Sequence, residues 1–292
     1  MSSSRSLEAV YTENPVEEMW NRLLFIGTME GARGCMKKRI EANFFGLDTK
    51  ALLVAKTRVG GLDATRSVSQ ADIEDHALEL SFSIRQAREL YSAANNATEL
   101  TKPLLYYYGM ISLSHALIRA TYSDDSVKRG HGLEAKMDDG AVKIRRRGVF
   151  SRFHDCYETD PSIYANETRL TLQEIFSTIP ELNDEYRLVY ERDPALKVKD
   201  PESVMDNHHQ VVLGGTTLSM PALTSHFLAM FYLSSVARYR PKQWGLLVRG
   251  DSSTEIHIVR KFFFASARRF PNVILNELWG TTHMIYAPAR LG

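Results

Sequence analysis

The chain is poor in several things at once, and each scarcity closes off a class of function. Cysteine is nearly missing: Cys35 and Cys156 are the only two in 292 residues. Two distant thiols are too few for the disulfide framework of a small secreted domain and too few for a thiolate metal cluster. Excess charge is missing as well. Lys and Arg number 36 against 35 Asp and Glu, so no whole-protein field points to nucleic acid or an anionic membrane, and any such site must be local. The longest apolar run, residues 227–237, is about half of what a membrane span needs and is interrupted by serines; no membrane association is expected. The start, MSSSRSLEAV, has no apolar core of a secretory signal, which points to a cytoplasmic protein with free thiols. Glycine fingerprints are missing too: Val59-Gly60-Gly61-Leu62 is turn punctuation, and no Walker, Rossmann or G-x-S-x-G pattern sits in a strand-turn-helix setting. Kinase, dehydrogenase and hydrolase readings therefore have no support, and no cofactor is expected. His154 with Cys156, and His208 with His209, lack third and fourth ligands at zinc-like spacing, so no metal is expected.

What is present is a composition that is 44% hydrophobic, ordinary for a globular chain with a real core. Its organising stretch is residues 80–120. Leu80, Ile84, Ala87, Tyr91 and Ala94 recur at helical spacing, with Arg85, Gln86, Arg88 and Glu89 on the other side, which predicts an amphipathic helix. Asn95 and Asn96 favour a turn; Thr101 then offers a cap and Pro103 suits a first helical turn. The second helix, starting near Lys102, is apolar on most sides and is the expected central helix. One ridge on it is polar: Tyr108, Ser112, His115 and Arg119 follow at i, i+4, i+7 and i+11. Such a ridge must find partners within the core or a ligand.

Elsewhere the pattern predicts a frayed Ser-rich terminus over residues 1–13 and a helix opening at Pro15 with Asn14 as cap. A short basic helix is expected over residues 33–40, a loop with buried aromatics at Phe44-Phe45, and a cap at Ser69 or Asp72. After a polar loop ending in His131-Gly132, residues 136–153 read as a β-hairpin about Asp139-Gly140. Its Lys143, Arg145, Arg146, Arg147 and Arg152 put five cations within ten residues, with Phe150 and Phe153 interleaved. That composition suits a phosphate or nucleic-acid contact; a solvated edge strand guarded by charge explains the same residues. It reads as the only basic cluster of the chain. Later elements are a helical stretch over residues 168–190 broken at Pro180, an exposed connection over 193–209, and a short strand at 211–213. A strong helix over 222–240, an amphipathic helix over 254–269, a separate helix over 272–278 begun by Pro271, and a strand at 283–287 complete the chain.

Several of these pieces together resemble the YaaC-like family of bacterial proteins. They are Thr101-Lys102-Pro103-Leu104-Leu105-Tyr106-Tyr107-Tyr108-Gly109-Met110, His131-Gly132, Val142-Lys143-Ile144, Gly148-Val149-Phe150 and Ile179-Pro180-Glu181-Leu182. To these add Ser235-Val236-Ala237-Arg238-Tyr239 with Pro241 and Trp244, and Arg269-Phe270-Pro271-Asn272-Val273-Ile274-Leu275-Asn276. The resemblance runs over roughly residues 15–287 and implies one family unit, without an assigned chemistry. A looser likeness, in residues 81–94 followed by 103–119, is to the HEPN superfamily of helical nucleotide-binding and RNase domains. It implies metal-independent RNA cleavage by an Arg and a His a few residues apart. Arg147 and His154 come nearest that spacing, as Arg to stabilise a pentacoordinate phosphate and His to transfer a proton. Gly148 after the arginine and a hairpin context depart from the superfamily pattern.

The expected fold is thus mainly α: a helical bundle around a central antiparallel pair, one domain over residues 14–292 with a small β-hairpin inserted at about 134–153. Tyr108, Ser112, His115, Arg119, His131, Lys143, Arg145 and Arg146 are expected to converge on a pocket for a phosphate-bearing ligand or RNA, in a nucleotide- or RNA-binding regulatory module. The alternatives are a HEPN-like RNase using Arg147 and His154, as a toxin or phage-defence effector, and a structural subunit of a larger assembly. A homo-oligomer or a protein partner stays open.

Overall fold

Asn14 opens the first helix as its side-chain chemistry requires: its Oδ1 accepts the Glu17 backbone N–H at 3.2 Å and Pro15 takes the first helical position. In this computed structural model, residues 6–45, 70–122, 130–157, 162–164, 168–196, 208–213, 216–250 and 254–287 are described. Among them ten α-helices stand against three small sheets, so the chain is mainly α with a minor β component. They fall into two compact units: Met1–Arg85, Ala116–Asp125 and Leu275–Gly292 in the first, Gln86–His115 and Ser126–Ile274 in the second.

In the first unit, α1 (Pro15–Ile26) buries Met19, Trp20, Leu23 and Ile26 and packs on α2 (Met29–Phe45). A strand, β1 (Leu7–Tyr11), stands where a frayed terminus was expected. It pairs in parallel with β7 (Thr282–Tyr286), in the register Leu7 to Thr282 through Tyr11 to Tyr286. The α2 helix is longer than the expected basic stretch and includes Phe44 and Phe45, which were read as loop. The α3 helix (Gln70–Asn96) enters this unit up to Arg85. There the Ser81 hydroxyl donates to the Gly27 carbonyl at 2.6 Å and Arg85 Nε donates to the same oxygen at 3.0 Å, so the α1 end is held by two donors. Asp72 lies inside α3 rather than at its cap, while Ser69 and the turn at 59–62 are outside the described residues.

In the second unit, α3 meets α4 (Lys102–Thr121), which begins where the cap and Pro103 place it. Tyr106 Oη donates to Asn95 Oδ1 at 2.7 Å, the rings of Tyr91 and Tyr106 meet edge-on at 5.3 Å, and Ser112 Oγ donates to Gln86 Oε1 at 2.9 Å. Partners that climb one helix while descending the other define an antiparallel pair. Gly109 permits the approach, since a Cβ there would lie 2.6 Å from a Tyr91 ring carbon. Tyr107, Met110 and Leu113 are fully buried, as a central helix requires.

The sheet of this unit is β2 (Leu133–Lys136), β3 (Ala141–Ile144) and β4 (Arg169–Thr171), all antiparallel, with β3 in the middle. The expected turn at Asp139-Gly140 closes β2 to β3, but the hairpin stops at Ile144, and residues from Val149 coil into α5 (Val149–Asp155). The β3 strand is therefore not an edge. Thr171 then caps α6 (Leu172–Phe176) in a reciprocal box with Glu174, and a 3-10 turn at Pro180–Leu182 leads to α7 (Asn183–Tyr190). A second hairpin joins β5 (His208–Leu213) to β6 (Thr216–Pro221), two strands where one was expected. From Pro221 the chain enters α8 (Ala222–Tyr239), which packs on β2, β3, β6 and α6. It is followed by α9 (Pro241–Arg249) and α10 (Glu255–Trp279). Pro271 lies inside α10 instead of starting a new helix. An interior proline costs about 3 kcal/mol, and the complete burial of Phe270 and Ile274 offsets a penalty of that size.

Candidate functional site

A cluster of aromatic rings fixes the geometry of the site. Phe227 of α8 lies 5.5 Å from Phe153, 5.6 Å from Phe150 and 5.7 Å from Tyr107, ring centre to ring centre, and Phe153 stacks on Phe270 at 5.5 Å. Four helices are thereby pinned around one spot. Onto it folds the segment Gly130-His131-Gly132. Val149 N–H donates to Gly130 O and Phe150 N–H to His131 O, both at 3.0 Å, so the first amides of α5 are already taken. Gly132 (φ +76°) and Gly148 (φ +132°) lie back to back; a Cβ on Gly148 would stand 2.3 Å from Gly132 N. Only glycine allows both conformation and approach, which is the physical content of the His131-Gly132 and Gly148-Val149-Phe150 motifs.

The contact so enforced places His131 Nδ1 2.9 Å from the Tyr107 hydroxyl, with both rings against Phe231. Burial, then the nearby positive charge of Arg238, pushes His131 below the ordinary histidine value; burial pushes the Tyr107 phenol far up. Both groups are neutral near pH 7. The pairing in which the phenol donates to Nδ1 leaves Nε2–H as a hydrogen-bond donor. Arg238, half-buried in the last turn of α8, donates from Nη1 to Tyr108 Oη at 3.4 Å, and its guanidinium lies 5.1 Å from the Tyr239 ring centre. No carboxylate among the described residues pairs with it. Exposed Arg147 adjoins the same loop through its carbonyl, which packs against Gly132. Arg238 thus bonds Tyr108, and its charge is felt at the Tyr107 phenol and the His131 imidazole; a cation, phenols and a neutral imidazole near one another are chemistry suited to holding an anion.

Of the residues expected to converge, Tyr108 meets Arg238 and His131 meets Tyr107, whose ring lies 5.9 Å from that of Tyr108. Ser112 is committed to Gln86. Arg119 lies in the first unit and is bound there to Glu79. His115 lies half-buried on α4. Lys143 is buried within the three-stranded sheet. Arg145 and Lys136 share Glu134, whose carboxyl is held down to about 2 by hydrogen bonds first from Lys136 and then from Arg145. Arg146 and Arg147 are exposed and carry no ion pair among the described residues. His154, expected as Arg147's partner, rides on helix α5 with no exposed surface, its Nδ1 3.0 Å from Thr224 Oγ1. The two are not presented together to solvent.

Thr224, Ser225 and His226 open α8 as a polar collar, each engaged by a different element. Thr224 meets His154, Ser225 Oγ lies 2.7 Å from Thr178 Oγ1, and His226 Nδ1 lies 3.1 Å from Ser266 Oγ. Glu181 stands 3.9 Å from His226 Nε2 and 3.6 Å from Arg269 Nε. Burial drives His226 down to about 4. Serine, histidine and glutamate at these positions resemble a nucleophilic triad, but Ser266 has no exposed surface, so the arrangement is structural.

Sequence reasoning quoted Tyr107 and Arg238-Tyr239 only within the family resemblance and singled out none of them as site residues. The available signal was Arg238-Tyr239-Arg240-Pro241-Lys242, a second basic stretch with an aromatic inside it. Among the described residues no group of three or more His, Cys, Asp or Glu is placed to hold a metal, and none of the helices is long and apolar enough to cross a membrane. Against known proteins, the family model described as YaaC-like Protein matches residues 62–213 and 201–278. No curated protein and no solved structure matches the chain.

Proposed function

Because the chain belongs to the YaaC-like family, and that membership names no reaction, we propose from the site itself that the protein binds a phosphate-bearing ligand of nucleotide type. Arg238, with Tyr108, Tyr107 and His131 around it, receives the phosphate, and exposed Arg147 adds charge at the rim. One observation carries this reading. Arg22, Arg119, Arg145, Arg240 and Arg260 each pair with a carboxylate, whereas among the described residues Arg238 has only phenol and carbonyl partners. A half-buried guanidinium gains charge-assisted bonds when an anion arrives, and neutral His131 offers N–H without adding repulsion or demanding a proton. The role is binding and regulation rather than turnover, since the histidine nearest the basic segment in sequence, His154, is sealed in the core.

Isothermal titration of the whole protein with AMP and with inorganic phosphate tests the reading. The wild type is expected to bind AMP, and Arg238→Gln to bind it at least tenfold more weakly with unchanged circular dichroism. Equal affinity in the two proteins, or no heat of binding in the wild type, overturns it.

A further inference from the structure

The turn that carries Arg238 holds more than one phosphate ligand requires. Two rings border the same guanidinium. Tyr108, 41% exposed, receives its hydrogen bond, and Tyr239, 67% exposed, lies beneath its Cζ. Both phenol rings therefore keep open surface beside a cation that pairs with no carboxylate among the described residues. Past Tyr239 the chain continues as Arg240-Pro241-Lys242, all exposed. Arg240 pairs at 3.1 Å with Asp138, which is itself almost wholly exposed, and Lys242 has no ion pair among the described residues. The turn is rigidly seated. Trp244, two residues on and buried, donates from Nε1 to the carbonyls of Glu99 at 3.2 Å and Leu100 at 3.1 Å, which ties the start of α9 to the α3–α4 turn.

Open aromatic faces interleaved with cations along a fixed backbone turn are the two parts of a single-strand platform: bases stack on the rings and the phosphodiester chain follows the charges. We propose that residues 238–242, with Tyr108, form a binding track for single-stranded nucleic acid that begins at the phosphate site. This rests on the phosphate reading above and extends it from one phosphate to a strand. Base stacking falls on Tyr239 and Tyr108, and successive phosphates on Arg238, Arg240 and Lys242. Asp138 is displaced from Arg240 as a phosphate takes its place, an exchange that an exposed ion pair permits at little loss.

Fluorescence anisotropy of the full chain with a labelled eight-nucleotide uridine oligomer, set beside titration with UMP, tests the track. The oligomer is expected to bind at least tenfold tighter than UMP, with log affinity falling by about 2 per decade of salt for three phosphate contacts. Tyr239→Leu weakens the oligomer about tenfold, the size of one lost stack. Lys242→Gln reduces the salt slope by about 0.7 and leaves UMP binding as it was. Oligomer affinity no greater than that of UMP, or unaltered by both substitutions, overturns the track while the phosphate site stands. Absence of binding by both ligands removes the two together.

Discussion

Lowering the pH should destabilise this protein through one identifiable histidine. His226 is completely buried, bonded through Nδ1 to Ser266, and faced by Glu181 and Arg269. Burial is the dominant effect and Arg269 acts with it; Glu181 opposes both without prevailing, so the folded-state value is depressed to about 4. An unfolded histidine titrates near 6.5. As pH falls below that, the unfolded chain takes up a proton that the folded chain refuses, and stability declines between about 6.5 and 4, then levels off. At about 1.4 kcal/mol per unit, the full window is worth roughly 3 kcal/mol, of which about 2 is already lost at pH 5. Stabilities of 5–15 kcal/mol are typical, so the loss is a large share of the total. Urea unfolding followed by circular dichroism at pH 7 and pH 5, on the wild type and His226→Gln, isolates the term. His131 and His283, whose values burial also depresses, contribute equally to both proteins and cancel. The wild type should lose about 2 kcal/mol more than the variant over this interval. An equal loss in both, or a His226 ring resonance that titrates near 6.5 by NMR, refutes the argument.

Gly148→Ala should lower stability by more than about 3 kcal/mol in thermal or urea unfolding, since the new Cβ meets backbone that cannot yield and the left-handed φ is strained as well. It should also abolish AMP binding, because His131 reaches Tyr107 only through that contact; unimpaired stability contradicts the packing described. Trp244→Phe preserves most of the ring volume but leaves the Glu99 and Leu100 carbonyls without their donor, at a loss of about 1–2 kcal/mol. Urea unfolding reads this directly, and a change within error removes Trp244 as the anchor of α9.

Much of the fold was legible wherever the signal is local. Asn14-Pro15 and Thr101 with Pro103 mark helix starts through chemistry confined to one turn, and the apolar stripe Leu80, Ile84, Ala87, Tyr91, Ala94 is buried along its whole length. The errors fall where the deciding partner is remote. LEAVY at residues 7–11 is too short and too mixed to announce a strand, and becomes one only against residues 282–286 at the other end of the chain. Pro271 carries a strong local instruction to stop, which the burial of its neighbours overrides.

The candidate site shows the same division more sharply. Spacing correctly placed Tyr108, Ser112, His115 and Arg119 on one ridge, but spacing is silent about what each meets. Ser112 and Arg119 are consumed by Gln86 and Glu79, and of the basic run Lys143 is buried and Arg145 neutralised by Glu134. A cluster of cations in sequence therefore overstates the charge available in space, because a neighbouring strand brings a carboxylate within reach of one of them. Arg238 had the opposite fate. It sits at the end of a helix whose apolar body marks it as core, and nothing in its own stretch reveals that no acid among the described residues reaches it. What separates Arg238 from Arg119, Arg145 and Arg240 is the identity of the residues opposite, a property of pairing between distant segments. A search for anion sites in chains of balanced charge should begin from half-buried arginines that the fold leaves without a carboxylate, and only then ask which of them the sequence had flagged.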